Sequence, residues 1–299
     1  IDGDILAYRC STAIEKRTVE ATHNDTLHVV TFDTATAFKE WAGEDKDNYT
    51  LVPMREAEDV SHAIKAMKTT IAKILQLSGC NSYHIVVSGP TNFRMDIPLP
   101  TRYKDSRKET IKPTHLDECK NYLIKFHNAE TSVGKEADDV LVGYGVAGYN
   151  AYIKAVKEGV PKHLIPIVVQ ATLDKDGNHG PGWLLNWIDM DEPVWIEGYG
   201  GLTLTLRPTG RTTVKGVPVM DKIIKGKGRA FLYFQMVFGD PVDCYKPCEI
   251  AKVKFGEIGA YDLLKHATND KEACEALVRQ YKKWYPAPVT YRAWDDSLH

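Results

Sequence analysis

The amino-acid sequence predicts an α/β protein with a mostly parallel central sheet flanked by helices and a helical C-terminal region. Short β-rich runs alternate with longer segments of helical spacing up to about residue 187. Residues 165–170 form a largely apolar run of the kind that is buried in parallel sheets. From residue 229 onward the pattern is mainly helical. Repeated alternation of strands and helices is typical of a parallel sheet with helices packed on its faces.

The N-terminal part predicts the following elements in order. The apolar start, residues 1–7, indicates a first strand, and residues 28–32 and 49–52 indicate two strands of an inserted hairpin. Residues 60–77 have apolar side chains at helical spacing, and Gly79 follows where a helix C-cap is expected. Residues 83–87 form a short β-rich run before Ser88-Gly-Pro90.

Residues 92–112 are the most basic stretch of the chain, with Phe93 and Tyr103 among the charges. Helices are predicted at 116–126 and 136–156, followed by the strand at 165–170, where Pro166 is tolerable because it lies near the strand's start. Strands are then predicted at 193–196 and 202–207, and helices at 231–238, 260–265 and 272–284. Residues 222–229 (KIIKGKGR) are basic and punctuated by glycine.

Composition limits the classes of protein that fit. The chain has 299 residues, 43% of them hydrophobic, which is enough for one large domain or two small ones. A formal net charge of −2 removes overall basicity as an argument for nucleic-acid binding, so such binding would need a local patch. Six scattered cysteines favour reduced, mostly buried thiols. Without a membrane-spanning run or a signal peptide, we expect a cytoplasmic protein and no membrane partner.

Acidic residues recur where predicted strands end and helices begin. Four separate segments each carry a group of them: Asp2 and Asp4; Glu136, Asp138 and Asp139; Asp174 and Asp176; Asp240 and Asp243. Because the carboxyl ends of parallel strands converge on one edge, we expect several of these groups to meet. Like charges at short range raise one another's pKa unless cations share the site. Oxygen-only ligands suit Mg²⁺ or Mn²⁺, and two such ions would promote in-line phosphodiester hydrolysis.

Each acidic group also has an ordinary structural interpretation. Acids in a first helical turn stabilise the helix by capping and by the macrodipole, which could explain residues 136–139. Residues 174–178 could form a polar loop, and residues 240–243 could form a turn and an N-cap. An exposed charged loop is the corresponding interpretation of the basic stretch.

The order of these motifs resembles the phage 5′-3′ exonuclease branch of the flap-endonuclease family. The similarity spans residues 1–264, nearly the whole chain, and consists of six weak motifs in family order. They are Ile1-Asp-Gly-Asp4; Asn92-Phe-Arg94 with Tyr103-Lys-Asp-Ser-Arg107; Glu136-Ala-Asp-Asp139; Asp174-Lys-Asp176 with Pro181-Gly-Trp183 and Asn186-Trp187; Gln235 with Gly239-Asp-Pro-Val-Asp243; and Phe255-Gly-Glu-Ile-Gly259.

The resemblance implies a PIN/FEN-like nuclease core at residues 1–187, with a basic arch at about 92–112. It also implies a C-terminal part, residues 188–299, with strands, a helix-turn-helix-like region and closing helices. A first metal site would comprise Asp2, Glu136, Asp138 and Asp139, and a second would comprise Asp174, Asp176, Asp240 and Asp243. Asp2 ranks above Asp4, because the family motif places its acid directly before the glycine. Two Mg²⁺ or Mn²⁺ ions would be the cofactors.

The resemblance also implies how DNA would be held. Lys104 and Arg107 would contact the scissile and neighbouring phosphates as catalytic residues, while Tyr103 would stack on an unpaired base. The predicted DNA-binding set is Arg94, Tyr103, Lys104, Arg107, Lys108, Gly256 and Gly259, together with Lys225 and Lys227 of the basic segment 222–229, which come from the residues of this chain and not from the resemblance. The partner would be DNA with a free 5′ end or a 5′ flap, or an RNA primer, in the host cytoplasm if the protein is phage-encoded.

Three departures from the family pattern keep other functions open. Ser88 or Gly89 stands where the family has an acid at the end of the second strand, Cys244-Tyr-Lys-Pro-Cys248 replaces the usual turn after Asp243, and the glycine-rich duplex-binding motif is shortened. Binding of duplex DNA could then be weaker, or it could be supplied by residues 222–229. The first alternative is a nuclease-like nucleic-acid-binding protein with impaired or no catalysis. The second is a PIN-type ribonuclease.

Overall fold

The computed structural model describes residues 1–107, 110–212 and 216–299; Lys108, one of the predicted DNA contacts, lies outside them. The protein is a mixed α/β structure with eight α-helices and four small sheets in the described part. The chain forms two compact units. One comprises Ile1–Gly3, Lys73–Thr110 and Ala129–His299, and the other comprises Asp4–Ala72 and Ile111–Asn128. The boundary that the sequence suggests at residue 187 stays a prediction.

The smaller unit contains a three-stranded antiparallel sheet in the order β2-β1-β3. Its strands are β1 (Glu15–His23), β2 (Val29–Phe32) and β3 (Tyr49–Ala57), with Val19 paired to Phe32 and Glu15 paired to Ala57. The hairpin strands predicted at 28–32 and 49–52 are therefore present, and the strand that joins them was missed. Helix α2 (Ala35–Ala42) follows β2, and Phe38 on it is buried.

The predicted first strand is wrong beyond Asp2, because helix α1 (Gly3–Ala13) begins at the next residue. Leu6, Ala7, Cys10 and Ser11 are buried, which is the spacing of one helical face rather than of a strand. Gly3 packs where a Cβ atom would lie 2.8 Å from the carbonyl oxygen of Val86, so only glycine fits at this turn. Asp4 occupies the first helical turn and pairs with Lys120, 2.6 Å away.

Two small sheets of the larger unit contain parallel pairs. In the first, β4 (Val86–Val87) is parallel to β5 (Glu130–Thr131). In the second, β6 (Val169–Ala171) is parallel to β7 (Gly182–Leu185), and β8 (Val194–Ile196) is antiparallel to β7. The first two residues bond to both sheets: the Val86 amide donates to the Ile1 carbonyl, and the Asp2 amide donates to the Ala171 carbonyl.

The described residues thus contain parallel pairing without one clear central parallel sheet, which corrects that part of the predicted fold. The strand predicted at 165–170 begins only at Val169. Residues Lys162–Leu164 form a 3₁₀ turn, and Pro166 has no amide to donate to a ladder.

Helices α3 (Val60–Ser78), α4 (Leu116–His127) and α5 (Ala137–Lys157) match the predicted segments within two residues. Gly79 follows α3 with a φ of +67°, as expected of a C-cap glycine. Glu136 is the N-cap of α5 and forms a capping box with Asp139. Val86, Ala137, Val140 and Leu141 pack together in a buried cluster, which fixes the start of α5 against β4.

The C-terminal region combines a long two-stranded ribbon with three helices. The ribbon consists of β9 (Gly201–Thr212) and β10 (Pro218–Lys227), and it precedes α6 (Arg229–Phe238), α7 (Glu257–Leu264) and α8 (Asp270–Trp284). Phe234, Val237, Leu264, Leu277 and Trp284 belong to the core that joins these helices. The predicted helices are present, with starts that differ by two or three residues.

Two further findings concern general properties. In the part of the chain that the structure describes, no helix is long and apolar enough to cross a membrane. All six cysteines are free thiols, as predicted, but only Cys10 and Cys119 are buried, so burial of most of them was a wrong expectation.

Candidate metal site

Seven carboxylates from four chain segments lie together in the larger unit, and we call them the acidic cluster: Asp2, Glu136, Asp138, Asp174, Asp176, Asp240 and Asp243. Asp2 lies between the two parallel pairs, and Glu136 and Asp138 lie at the start of α5. Asp174 and Asp176 follow β6, on the 3₁₀ turn Lys175–His179. Asp240 and Asp243 follow the end of α6.

Three members of the acidic cluster are close enough to hold one metal ion. One carboxylate oxygen from each of Asp176, Asp240 and Asp243 lies within 4.8 Å of the other two. These are three of the four residues predicted for the second metal site. Among the residues that the structure describes, the set predicted for the first site, Asp2 with Glu136, Asp138 and Asp139, does not form such a group. The first site stays a prediction.

The pKa of Asp138 shows the effect of the neighbouring acids of the acidic cluster. Burial, together with the negative charges of Asp2, Asp174, Asp176 and Glu136, raises the pKa of Asp138 from 3.8 to about 8. Acids that were merely exposed helix caps would be screened by water and would not repel one another this strongly. The acids at the start of α5 are therefore electrostatically linked to Asp2 and to the Asp174 segment.

Asp2 is the most buried acid of the acidic cluster, with 1% of its surface exposed. Its Oδ2 accepts a hydrogen bond of 2.8 Å from the hydroxyl of Thr172, which directly follows β6. The Thr172 hydroxyl also accepts from the amide of Asp174. Thr172 therefore links Asp2 to the Asp174 segment, a role that the sequence analysis missed.

The basic stretch supplies cations to the acidic cluster. The Lys104 ammonium donates to Glu136 and lies 3.9 Å from Asp243, and an Arg107 nitrogen lies 3.8 Å from the same Asp243 oxygen. The Lys104 backbone has a φ of +55°, in the left-handed region that costs a lysine conformational energy. Burial raises the pKa of Asp243, with repulsion from Asp240 and Glu136 adding to the effect, although Lys104 opposes it.

Tyr103 is buried, and its hydroxyl lies within the acidic cluster. Its ring is 6% exposed, and its hydroxyl lies 2.9 Å from Glu136 and 3.2 Å from Asp243. Burial and these two carboxylates raise the pKa of the phenol, so it stays protonated and can donate. In this structure Tyr103 bridges Glu136 and Asp243, and its stacking on an unpaired base stays a prediction.

Arg94 forms a two-pronged salt bridge with Asp139, with N···O distances of 2.7 and 2.8 Å. Burial alone would raise the pKa of Asp139, but the Arg94 guanidinium outweighs it and lowers that pKa. Asp139 also accepts from the Glu136 amide in the capping box. Both predicted functional residues are thus engaged with each other, and Asp139 acts here as a structural anchor for the basic stretch.

Three side chains that the site prediction did not include lie beside the carboxylates of Asp176 and Asp240. The Lys175 ammonium donates to Asp240 at 2.7 Å, and the Gln235 amide donates to Asp176 at 3.1 Å. His179 lies 3.8 Å from Asp176, and burial lowers the pKa of its imidazole, which favours the neutral form. Lys175 and His179 flank the acids in Asp174-Lys-Asp176-Gly-Asn-His179, so their proximity in sequence was the available signal.

The end of β4 carries no carboxylate. The Ser88 hydroxyl accepts from the Ala137 amide at 2.9 Å and so caps the start of α5. A Cβ atom on Gly89 would lie 2.2 Å from the Ser132 carbonyl oxygen, so this glycine is required by close packing. An acid at position 89 would therefore clash with backbone, whereas position 88 already carries a side chain.

The remaining predicted DNA contacts lie on the C-terminal part of the larger unit. Lys225 and Lys227 are exposed on β10. Gly256 is the N-cap of α7 and Gly259 lies within that helix, against the ring of Phe255. Their contact with DNA stays a prediction.

Comparison with known proteins adds no relative. No family model, curated protein or solved structure matches the chain significantly. The functional argument therefore rests on the acidic cluster and its surroundings.

Proposed function

We propose that the protein is a divalent-metal-dependent 5′ nuclease that hydrolyses phosphodiester bonds of DNA bearing a free 5′ end or a 5′ flap. The observation that carries the proposal is the convergence of seven carboxylates from four chain segments, three of them able to share one ion. Such a concentration of negative charge opposes folding unless cations bind there. A protein with no use for cations gains nothing evident from it.

The donor set fits Mg²⁺ or Mn²⁺. Asp176, Asp240 and Asp243 offer only oxygen, which hard divalent cations prefer. Asp2, Glu136 and Asp138 are the members of the acidic cluster that would hold a second ion. Such ions supply Lewis-acid stabilisation of both the attacking and the leaving oxygen in an in-line displacement by water.

The chain's own cations would position the substrate. Lys104 and Arg107 lie within 4 Å of Asp243, so a phosphate brought to the acidic cluster would meet both side chains. The Lys104 ammonium, which now pairs with Glu136, can exchange that carboxylate for a phosphate oxygen when metal neutralises the acids. Lys104 and Arg107 would therefore neutralise charge that develops on the phosphate.

A PIN/FEN-like arrangement is the finer fold that we propose. The two parallel pairs, bonded through the Ile1 carbonyl and the Asp2 amide, support it. In this arrangement the acids would lie at the carboxyl ends of neighbouring strands, where open α/β sheets bind ligands.

A cleavage assay on 5′-flap and blunt DNA tests the proposal, with Mg²⁺, with Mn²⁺ and with excess chelator. We expect cleavage only with metal, and Asp176→Asn should lower the rate at least a hundredfold while the melting temperature is retained. Asp191→Asn, an exposed carboxylate of the same unit, is the matched control and should cleave normally. Full activity in chelator, or a fully active Asp176→Asn, would overturn the proposal.

The second candidate is a nucleic-acid-binding protein with impaired catalysis. It is favoured by Ser88, which provides a hydroxyl instead of a carboxylate at the end of β4, and by the engagement of Asp139 with Arg94. Metal-dependent DNA binding without cleavage in any metal would support it. Cleavage of single-stranded RNA in preference to DNA flaps would instead indicate a PIN-type ribonuclease.

A further inference from the structure

The ribbon formed by β9 and β10 carries a local excess of positive charge in a chain whose net charge is −2. Residues 201–227 contain one acid, Asp221, and six basic residues: Arg207, Arg211, Lys215, Lys222, Lys225 and Lys227. A local excess of positive charge attracts polyanions at long range. We call the described part of these two strands the basic ribbon.

The two faces of the basic ribbon differ. Leu202 and Ile224 lie on one face and pack against the core of the C-terminal helices. Residues that are paired across the two strands share a face, so the strand register shows which residues lie on the opposite, outer face. They are the pairs Lys227 and Gly201, Lys225 and Thr203, Ile223 and Thr205, and Asp221 and Arg207. Lys225, Lys227, Thr203 and Thr205 are all exposed. Neither lysine forms an ion pair with any residue that the structure describes.

The end of the basic ribbon at residue 227 lies next to the turn that carries Asp176 of the acidic cluster. The Gly228 amide donates to the Asn178 carbonyl, 2.6 Å away, on the same 3₁₀ turn that carries Asp176. Gly200 and Gly228 have φ values of +73° and +69° and are packed so closely that a Cβ atom on either would clash with backbone. These glycines fix the direction in which the ribbon leaves the acidic cluster.

We propose that the outer face of the basic ribbon binds the sugar-phosphate backbone of the duplex part of the substrate, on the basis of the 5′ nuclease function proposed above. Lys225 and Lys227 are two residues apart, so their side chains emerge about 7 Å apart on one face. The positive charge of this face is concentrated where Lys227 and Lys225 lie, since residue 221, roughly 20 Å from residue 227, is an acid that lies opposite Arg207. Lysine ammonium groups and threonine hydroxyls contact phosphates without reading sequence. The ribbon therefore selects duplex without selecting sequence.

Duplex is favoured over single-stranded nucleic acid by the chemistry of this face. Binding of a single strand usually uses aromatic side chains on which unpaired bases stack. Residues 201–227 contain no Phe, Tyr or Trp. The outer face thus offers two lysine ammonium groups and neighbouring threonine hydroxyls, and no aromatic ring on which a base could stack.

The test is the affinity of a Lys225→Gln/Lys227→Gln double variant for DNA, measured by fluorescence anisotropy in chelator against salt concentration. One probe is a duplex of about twelve base pairs with a 5′ flap, and the other is a single strand of equal length. Log K falls as log salt rises, and loss of two phosphate contacts should make this slope less steep by about 1.8. Duplex binding should weaken about 30-fold at 0.15 M salt. The change on the single strand should be much smaller.

A Lys282→Gln/Lys283→Gln variant removes the same charge from exposed positions of α8 and should keep the duplex affinity of the wild type. Equal duplex affinity and salt slope in the Lys225/Lys227 variant and the wild type would overturn the proposal. So would an equal loss on duplex and single strand, or an equal loss in the α8 control. Because the assay measures binding without metal, a wild type that binds duplex through these lysines but never cleaves would refute only the nuclease proposal.

Discussion

Asp138 couples the stability of the metal-free protein to pH. Its pKa is raised from 3.8 to about 8 in the folded state, first by burial and then by the charges of four neighbouring acids. Between these two values the folded protein holds a proton that the unfolded chain releases. The free energy of unfolding should therefore fall as pH rises from about 4 to about 8.

The magnitude follows from one proton. Each pH unit within that window is worth at most about 1.4 kcal/mol, so the step from pH 5 to pH 8 is worth at most about 4 kcal/mol. Asp138→Asn removes the titrating group with little change of volume. The variant should lose less stability than the wild type over this range, and at pH 8 without metal it should be the more stable of the two.

Urea unfolding in chelator at pH 5, 6, 7 and 8 measures the effect for both proteins. Asp117→Asn is a matched control, because Asp117 is the second residue of α4 just as Asp138 is the second residue of α5, and it is exposed. This control should follow the pH dependence of the wild type. Mg²⁺ at pH 8 should restore stability to the wild type more than to Asp138→Asn. An identical pH dependence in wild type and Asp138→Asn would refute the reasoning.

Three further outcomes are expected. Lys104→Met should raise the affinity of the protein for Mn²⁺ in isothermal titration calorimetry, since Lys104 competes for Glu136 and Asp243, and should slow cleavage; weaker Mn²⁺ binding would contradict this. Arg94→Ala should lower the free energy of unfolding by about 1–3 kcal/mol, because Asp139 loses a two-pronged partner, and an unchanged urea midpoint would count against that role. Ser88→Asp should cap α5 as well as serine does, and it should lower the Mg²⁺ concentration at which cleavage is half-maximal. Gly89→Asp should instead destabilise the fold, because its side chain would clash with the Ser132 carbonyl. If a folded Ser88→Asp variant had the same Mg²⁺ midpoint as the wild type, position 88 would not belong to the site.

The sequence by itself determined most of the helices and the identity of the acids. Apolar spacing and terminal signals such as Gly79 and Glu136 place α3, α4 and α5 correctly, because capping and one-sided burial act over a few neighbouring residues. The grouping of Asp176, Asp240 and Asp243 was implied only by the resemblance of the motifs to a known family, and the structure brings these three carboxylates together. The first strand failed because residues 5–7 are apolar in either a strand or a helix, and only burial at Leu6, Ala7 and Cys10 distinguishes them.

Which side chains contact one another was decided by the tertiary structure. Nothing local in the sequence shows that Tyr103 bridges Glu136 and Asp243, or that Arg94 pairs with Asp139, since these contacts join residues 33 to 140 positions apart. The raised pKa of Asp138 likewise needs the distances to four other acids. The direction of the basic ribbon depends on backbone packing at Gly200 and Gly228, which composition does not reveal. Residue types fix which interactions are chemically available, and packing at long sequence separation selects which of them form.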